Sequence, residues 1–138
     1  MFENLGLAGA PYGIEFGKMS ILSNSRLALE AGEFALDQGR HDEFHERVFT
    51  AYFKETRDIG QIKVILDLAQ DAGLAPDELK KALTEGRYKA RLDAAADEAR
   101  RLGVNAIPAF IINQDESRIV GAQPLSVFQK ALRQAKSL

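Results

Sequence analysis

Gly103-Val104-Asn105-Ala106-Ile107-Pro108-Ala109-Phe110-Ile111-Ile112-Asn113 is the stretch whose reading decides the fold. A helical pattern stops at Gly103, a short connector ends in Ile107-Pro108, and the apolar run Ala109 to Ile112 follows at once. Proline has no backbone N–H, so Pro108 can open a strand but cannot sit inside a central one. Its tertiary amide also makes Ile107-Pro108 one of the few bonds in the chain that can be cis at modest cost. Beyond the strand come a polar turn, Asn113 to Ser117, a second strand, Arg118 to Val120, then Gly121-Ala122-Gln123-Pro124 and an amphipathic last helix. The order is helix, X-Pro, β-hairpin, helix.

Upstream of this stretch, from Asn24 to Gly103, the signal is helical almost throughout. Leu27, Ala31, Phe34 and Ala35 recur at helix spacing, with Ser23 or Asn24 available as N-cap and Gly39 past the end. Phe44, Val48, Ala51 and Tyr52 mark a second stripe, and Phe49 and Phe53 widen it, so this helix is expected to be buried on two sides as the hub of a bundle. A third helix follows Asp58, with Ile62, Ile65, Leu66 and Ala69 before Gly73. Pro76 suits a first helical turn, Asp77 and Glu78 lie near the positive helix end, and Leu79 and Leu83 supply an apolar side. The fifth carries Tyr88, Leu92, Ala95, Ala96, Ala99 and Leu102, with Arg100 and Arg101 near its negative end. Its small residues are expected to let two helices of one core approach closely.

Residues 1–20 are weakly patterned. Gly6, Gly9, Gly13 and Gly17 punctuate short apolar pieces, and Ala10-Pro11-Tyr12-Gly13 reads as a turn, so the stretch is expected to be a connector. An alternative makes Ile14 to Phe16 a short edge strand of a smaller self-contained fold.

Bulk properties narrow the function classes. A length of 138 residues, 46% hydrophobic and 28% charged, suits one soluble domain with a sizeable core. A net charge of −2 and sparse Lys/Arg clusters leave no basic footprint, which argues against nucleic acid. No apolar run is long enough to span a membrane and the first twenty residues lack a signal-peptide pattern, so the expected compartment is the cytoplasm. The chain has no cysteine. Disulfides, Cys-ligated zinc and thiol catalysis by these residues are excluded, because each needs the sulfur itself.

The remaining motifs weigh toward structure. His41 and His45 stand at i and i+4 and could share a zinc ion, but the metalloprotease motif wants Glu directly after the first His, where Asp42 stands, and no third ligand is placed by motif. The expectation is no metal site. Glu43 with Glu46, and Asp93 with Asp97, fall on polar helix faces, where no burial shifts a pKa toward acid–base work. Ser20, Ser23 and Ser25 cluster at a helix start and read as caps. No phosphate loop, dinucleotide fingerprint or Gly-X-Ser-X-Gly is present.

Gly103 to Ile112, followed by Val120-Gly121-Ala122-Gln123-Pro124 and Phe128, resembles the C-terminal signature of the DsbA-like thioredoxin family, in the branch that includes 2-hydroxychromene-2-carboxylate isomerases. Asn24-Ser25-Arg26-Leu27-Ala28, Phe34-Ala35, Gln38-Gly39-Arg40, Phe49-Thr50-Ala51-Tyr52-Phe53 and Asp58-Ile59 extend the resemblance over roughly residues 14 to 136, in order and spacing. It implies an α/β, partial thioredoxin-like fold, its C-terminal β-hairpin and helix joined to a five-helix insertion domain. The expected division is 1–20 as connector, 21–102 as helical insertion domain and 103–138 as the C-terminal thioredoxin-like half.

The resemblance also implies where chemistry belongs. Family members carry it on an N-terminal strand and helix bearing Cys-X-X-Cys, or a serine in isomerase-like members, and this chain shows neither before residue 14. The expectation is part of a thiol-disulfide oxidoreductase acting on protein or peptide thiols and disulfides, with no catalytic residue in this chain, which is inactive alone as a fragment. The alternatives are an isomerase- or glutathione-transferase-like member using a serine, for which glutathione would be the cofactor, and a naturally short, non-catalytic binding module. In the resembled family the matching proline is cis and the residue before it pairs with extended substrate, which assigns substrate binding to Ile107 and Pro108. A two-stranded hairpin leaves backbone groups unpaired at its edges, so a homodimer through strand addition is also expected.

Overall fold

In the computed structural model, which describes residues 2–18, 20–113 and 117–135, the chain runs from α1 (Phe2–Gly9) and a single 3-10 turn (Ala10–Tyr12) to α2 (Arg26–Asp37) and α3 (His41–Phe49). α3 continues into a wider π turn, Thr50–Lys54, followed by α4 (Ile62–Asp71), α5 (Pro76–Thr84) and α6 (Lys89–Arg101). The hairpin β1 (Ala109–Ile112) and β2 (Ser117–Val120) and the helix α7 (Leu125–Ala135) close the described chain. It forms two compact units, 1–93 and 94–138, dividing inside α6.

In the first unit α2 is the central helix. Ala28, Ala31, Phe34 and Ala35 are buried along one face at helix spacing, and α2 packs against α3, α4 and α5. Three alanines allow the close approaches, and Phe34 joins Phe44, Ile65, Leu68 and Leu79 as the largest buried side chains of one shared core. This corrects the hub role expected of α3. That helix buries Phe44, and Ala51 of the π turn, while Phe49 is 51% exposed. An apolar stripe identifies a face; it does not reveal whether another element covers it.

α6 likewise departs from expectation, because none of its residues is fully buried. Its N-terminal end is held to α2 by polar contacts: Arg91 bonds Glu33 at 2.9 Å and Asp37 at 3.0 Å, and Asp93 bonds Arg26 at 3.1 Å. The alanines therefore act through helix propensity more than through packing.

Residues 2–9, expected as connector, form α1, and the stretch from Ile14 to Phe16 is not paired in a strand among the described residues. Gly17 N–H donates to Phe53 O at 2.7 Å and so ties this segment to the π turn. At the start of α2 the capping group is Asn24, whose Oδ1 accepts from Arg26 N–H at 3.0 Å, while Ser25 makes no capping bond.

In the second unit β1 and β2 pair antiparallel in the register Ala109↔Val120, Phe110↔Ile119, Ile111↔Arg118 and Ile112↔Ser117. α7 covers one face, with Phe110 edge-on to Phe128 at 4.9 Å and with Ile119 and Ala131 buried. Phe110 and Ile119 share that face because strand side chains alternate, which leaves Ala109, Ile111, Arg118 and Val120 on the other. Of the expected polar turn, residues 114–116 lie outside the described residues; Asn113 enters it at φ 48.

Candidate functional site

The loop between α6 and β1 is built by its two ends. Gly103 takes φ 67 beyond the last helical turn, its N–H donating to Arg100 O at 2.9 Å, and Val104 N–H reaches back to Ala99 O at 2.9 Å. At the other end Pro108 O accepts from Gly121 N–H at 2.8 Å, which extends the β1–β2 ladder by one bond. The Ile107-Pro108 peptide is cis. Between these anchors the Ile107 side chain is 88% exposed. The two residues assigned to substrate binding from sequence thus sit together at the mouth of β1. They offer backbone groups and an apolar rim; neither carries an ionisable side chain.

The first unit holds features that sequence reading did not join. His41, His45, Phe49 and Phe53 follow one another every four residues, and Phe16 continues the line. Their rings lie 5.6, 4.3 and 5.4 Å apart along α3 and the π turn, with Phe16 5.9 Å from Phe53. His45 stacks on Phe49 at an interplanar angle of 18°. On one side of this ridge opens a cleft of about 230 Å³, floored by Leu29, Gly32, Phe44 and Leu92. On the other side a groove of about 640 Å³ lies between Leu5, Ile14 and Phe16 and the Phe49 and Phe53 rings. The four-residue spacing was legible in sequence, but the openings on either side arise only from the placement of α2, α6 and residues 13–16.

The electrostatics of this unit are those of paired surface charges. Arg91, reinforced by Tyr88, holds the Asp37 carboxyl below the usual carboxylate range. Lys54 does the same for Glu15 across the second groove, at 2.6 Å. Asp58 is lowered by the neighbouring Ser23 hydroxyl, which makes no well-formed hydrogen bond of its own, and by Gln61 and the Gly60 N–H. Glu43 pairs with Arg40, Asp93 with Arg26 and Asp97 with Arg100, so three of the four carboxylates singled out in sequence serve ion pairs on solvated faces. His41 and His45 share a face, with His41 Nδ1 3.3 Å from Asp42 Oδ1. No group of three or more His, Asp or Glu positioned to hold a metal ion occurs among the described residues. No described helix is long and apolar enough to cross a membrane.

Comparison with known proteins covers nearly the whole chain. The sequence profile of the DsbA-like thioredoxin domain matches residues 1–133. The chain is 34% identical over 136 residues to the uncharacterized protein YwbO of Bacillus subtilis strain 168, covering 96% of this chain and 63% of that protein. The crystal structure of a probable DsbA oxidoreductase, SCO1869 from Streptomyces coelicolor, superposes on 99% of this chain with a TM-score of 0.88 at 26% identity, and 59% of that protein is covered. The chain thus spans less than two-thirds of the length of each of these relatives. The helix, X-Pro, hairpin, helix order and the helical unit before it are together those of one family, and this chain belongs to the DsbA-like thioredoxin domain family.

Proposed function

We propose that the chain forms the helical and C-terminal part of a thiol-disulfide oxidoreductase, in which the Ile107-Pro108 loop receives an extended segment of a substrate protein. The carrying observation is the exposed Ile107, held at the strand mouth by the Pro108–Gly121 bond. Membership of the DsbA-like family and the Streptomyces coelicolor neighbour, described as a probable DsbA oxidoreductase, support the reading.

The sulfur has to come from outside these 138 residues, which contain no cysteine. A thiolate there attacks one sulfur of a substrate disulfide, forming a mixed disulfide and releasing the other substrate sulfur as thiolate. A second thiol, deprotonated, displaces the first substrate sulfur, so the dithiol ends oxidised to a disulfide and the substrate ends with two thiols. The part of Ile107 and Pro108 is positional: a backbone rail that pairs with the substrate in extended form, and an apolar rim beside it.

The test is a titration of isotopically labelled chain with an unfolded, disulfide-containing peptide, followed by amide NMR. Shifts concentrated on Asn105 to Ala109, and lost in Ile107→Pro, support the reading. Shifts confined to the cleft between α2 and α3, or a response to glutathione with none to peptide, overturn it.

A further inference from the structure

The strand-side anchor of the Ile107-Pro108 loop is a single hydrogen bond. In the register of the hairpin Pro108 stands opposite Gly121, one step beyond Ala109↔Val120. Such a pair in an antiparallel ladder exchanges two bonds, but proline has no N–H, so only Gly121 N–H donates, to Pro108 O at 2.8 Å. That bond also sets the phase of the ladder. Phe110 bonds Ile119 and Ile112 bonds Ser117, while Ala109 with Val120, and Ile111 with Arg118, turn their backbone groups away from each other. The carbonyl of Val120 therefore faces the outer edge of β2, and there the Gln123 side chain meets it, Nε2 donating to Val120 O at 2.9 Å.

The two bonds share one peptide unit. Val120 C=O and Gly121 N–H belong to the same rigid plane, so a donor on the oxygen fixes the direction of the N–H. It also polarises the amide and strengthens the bond on its other side. Gln123 is placed for this by its neighbours. Gly121 takes φ 83, a left-handed conformation open to glycine without steric cost, which lets the chain bend back past the end of β2. Pro124 restricts the backbone of Gln123 to the extended region, and Pro124 O accepts from Val127 N–H at 3.0 Å in the first turn of α7. The donor is thus held between a strand end and a helix start, as a water molecule on the same edge would not be.

We propose that Gln123 is a positioning residue for the substrate loop. Through the Val120–Gly121 peptide it holds Pro108 O, and so the backbone of Ile107, in the orientation that pairs with an extended substrate segment. The role rests on the reading of Ile107 and Pro108 as a substrate rail, and every contact it uses lies within residues 108–127.

Two substitutions separate the donor from the shape of the side chain. Gln123→Met keeps the length and removes the donor. Gln123→Glu sets a carboxylate against Val120 O at neutral pH, and regains a donor when it is protonated, near the ordinary glutamate value of about 4.3. Amide NMR of the labelled, peptide-free chain is the first readout. In Gln123→Met the Gly121 amide is expected to exchange with solvent about fivefold faster and the Ile107 amide signal to move, with the signals of the α2–α5 core unchanged. The second readout is affinity for an unfolded, disulfide-containing peptide, expected to be about fivefold weaker in both variants at neutral pH. Between about pH 6 and pH 4, Gln123→Glu alone should recover toward wild type measured at the same pH. Gly121 exchange and an Ile107 signal unchanged in Gln123→Met, a peptide affinity equal to that of wild type, or a Gln123→Glu defect that persists in acid would overturn the proposal. A wild-type chain that binds no peptide overturns the substrate reading instead, and the Gly121 and Ile107 amides then decide by themselves whether Gln123 holds the loop.

Discussion

The Tyr88 hydroxyl donates to Asp37 Oδ2 at 2.9 Å, joining the end of α2 to the start of α6 across 51 residues of sequence. Tyr88 is only 4% exposed, and its ring packs edge-on against Phe34 at 6.3 Å. One side chain therefore serves the apolar core with its ring and the polar α2–α6 junction with its tip. Tyr88→Phe keeps the ring and the overlying Arg91 guanidinium, and removes only the donor. The expected loss is about 1 kcal/mol, or about 4 °C in thermal midpoint, checked by calorimetry.

Asp37 gives the junction a pH dependence. Its folded pKa is depressed below the ordinary 3.8 by Arg91 and Tyr88, so the native state holds its proton less tightly than the unfolded chain does. The contribution to stability is thus complete above the ordinary value and fades as pH falls through the folded value. Denaturant melts of wild type and Asp37→Asn at a series of pH values should differ most near neutrality and converge in strong acid. A gap that stays constant with pH would count against this assignment.

Gly17 has room for nothing larger than hydrogen. A Cβ on this residue would overlap the carbonyl oxygen of Lys54 and sit 2.7 Å from Thr56 Cγ2. Gly17→Ala should break the Gly17–Phe53 bond and release residues 14–17 from the π turn. The expected readout is faster proteolytic cleavage before residue 20, with the thermal transition of the α2–α5 core little changed, since that core does not include this segment.

Glu30 is the one buried charged residue among those described, 2% exposed, and its carboxylate bonds Arg26 Nε at 3.0 Å. Removing the cation leaves a buried charge without compensation, whereas neutralising the acid leaves only a weaker hydrogen bond. Arg26→Ala should therefore destabilise the chain more than Glu30→Gln does. The double variant should recover part of the Arg26→Ala loss. Urea unfolding of the three variants gives the order directly.

Much of the fold was legible because its signals are local. Helix periodicity, the first-turn proline at Pro76 and the stop at Gly103 place α2, α4, α5 and α6, since each depends on residues within a turn or two of one another. The X-Pro step and the alternation after it place the hairpin for the same reason. The site was legible to the same extent: Ile107 and Pro108 could be named, because their position follows from the order of elements. Asn24 capping in place of serine, by contrast, depended on which of several adjacent polar side chains turned back onto the helix.

Sequence by itself determined the element order, the family resemblance and the absence of any sulfur nucleophile in these residues. Tertiary structure decided which apolar faces are covered. It put α2 at the centre instead of α3, left Phe49 half exposed between a cleft and a groove, and held the start of α6 by ion pairs where packing was expected. It also set the phase of the hairpin, and with it the direction in which Ala109 and Ile111 point their backbone groups. The physical reason is that periodicity records how side chains distribute around one element, while burial depends on a second element far away in sequence, whose approach no local pattern encodes.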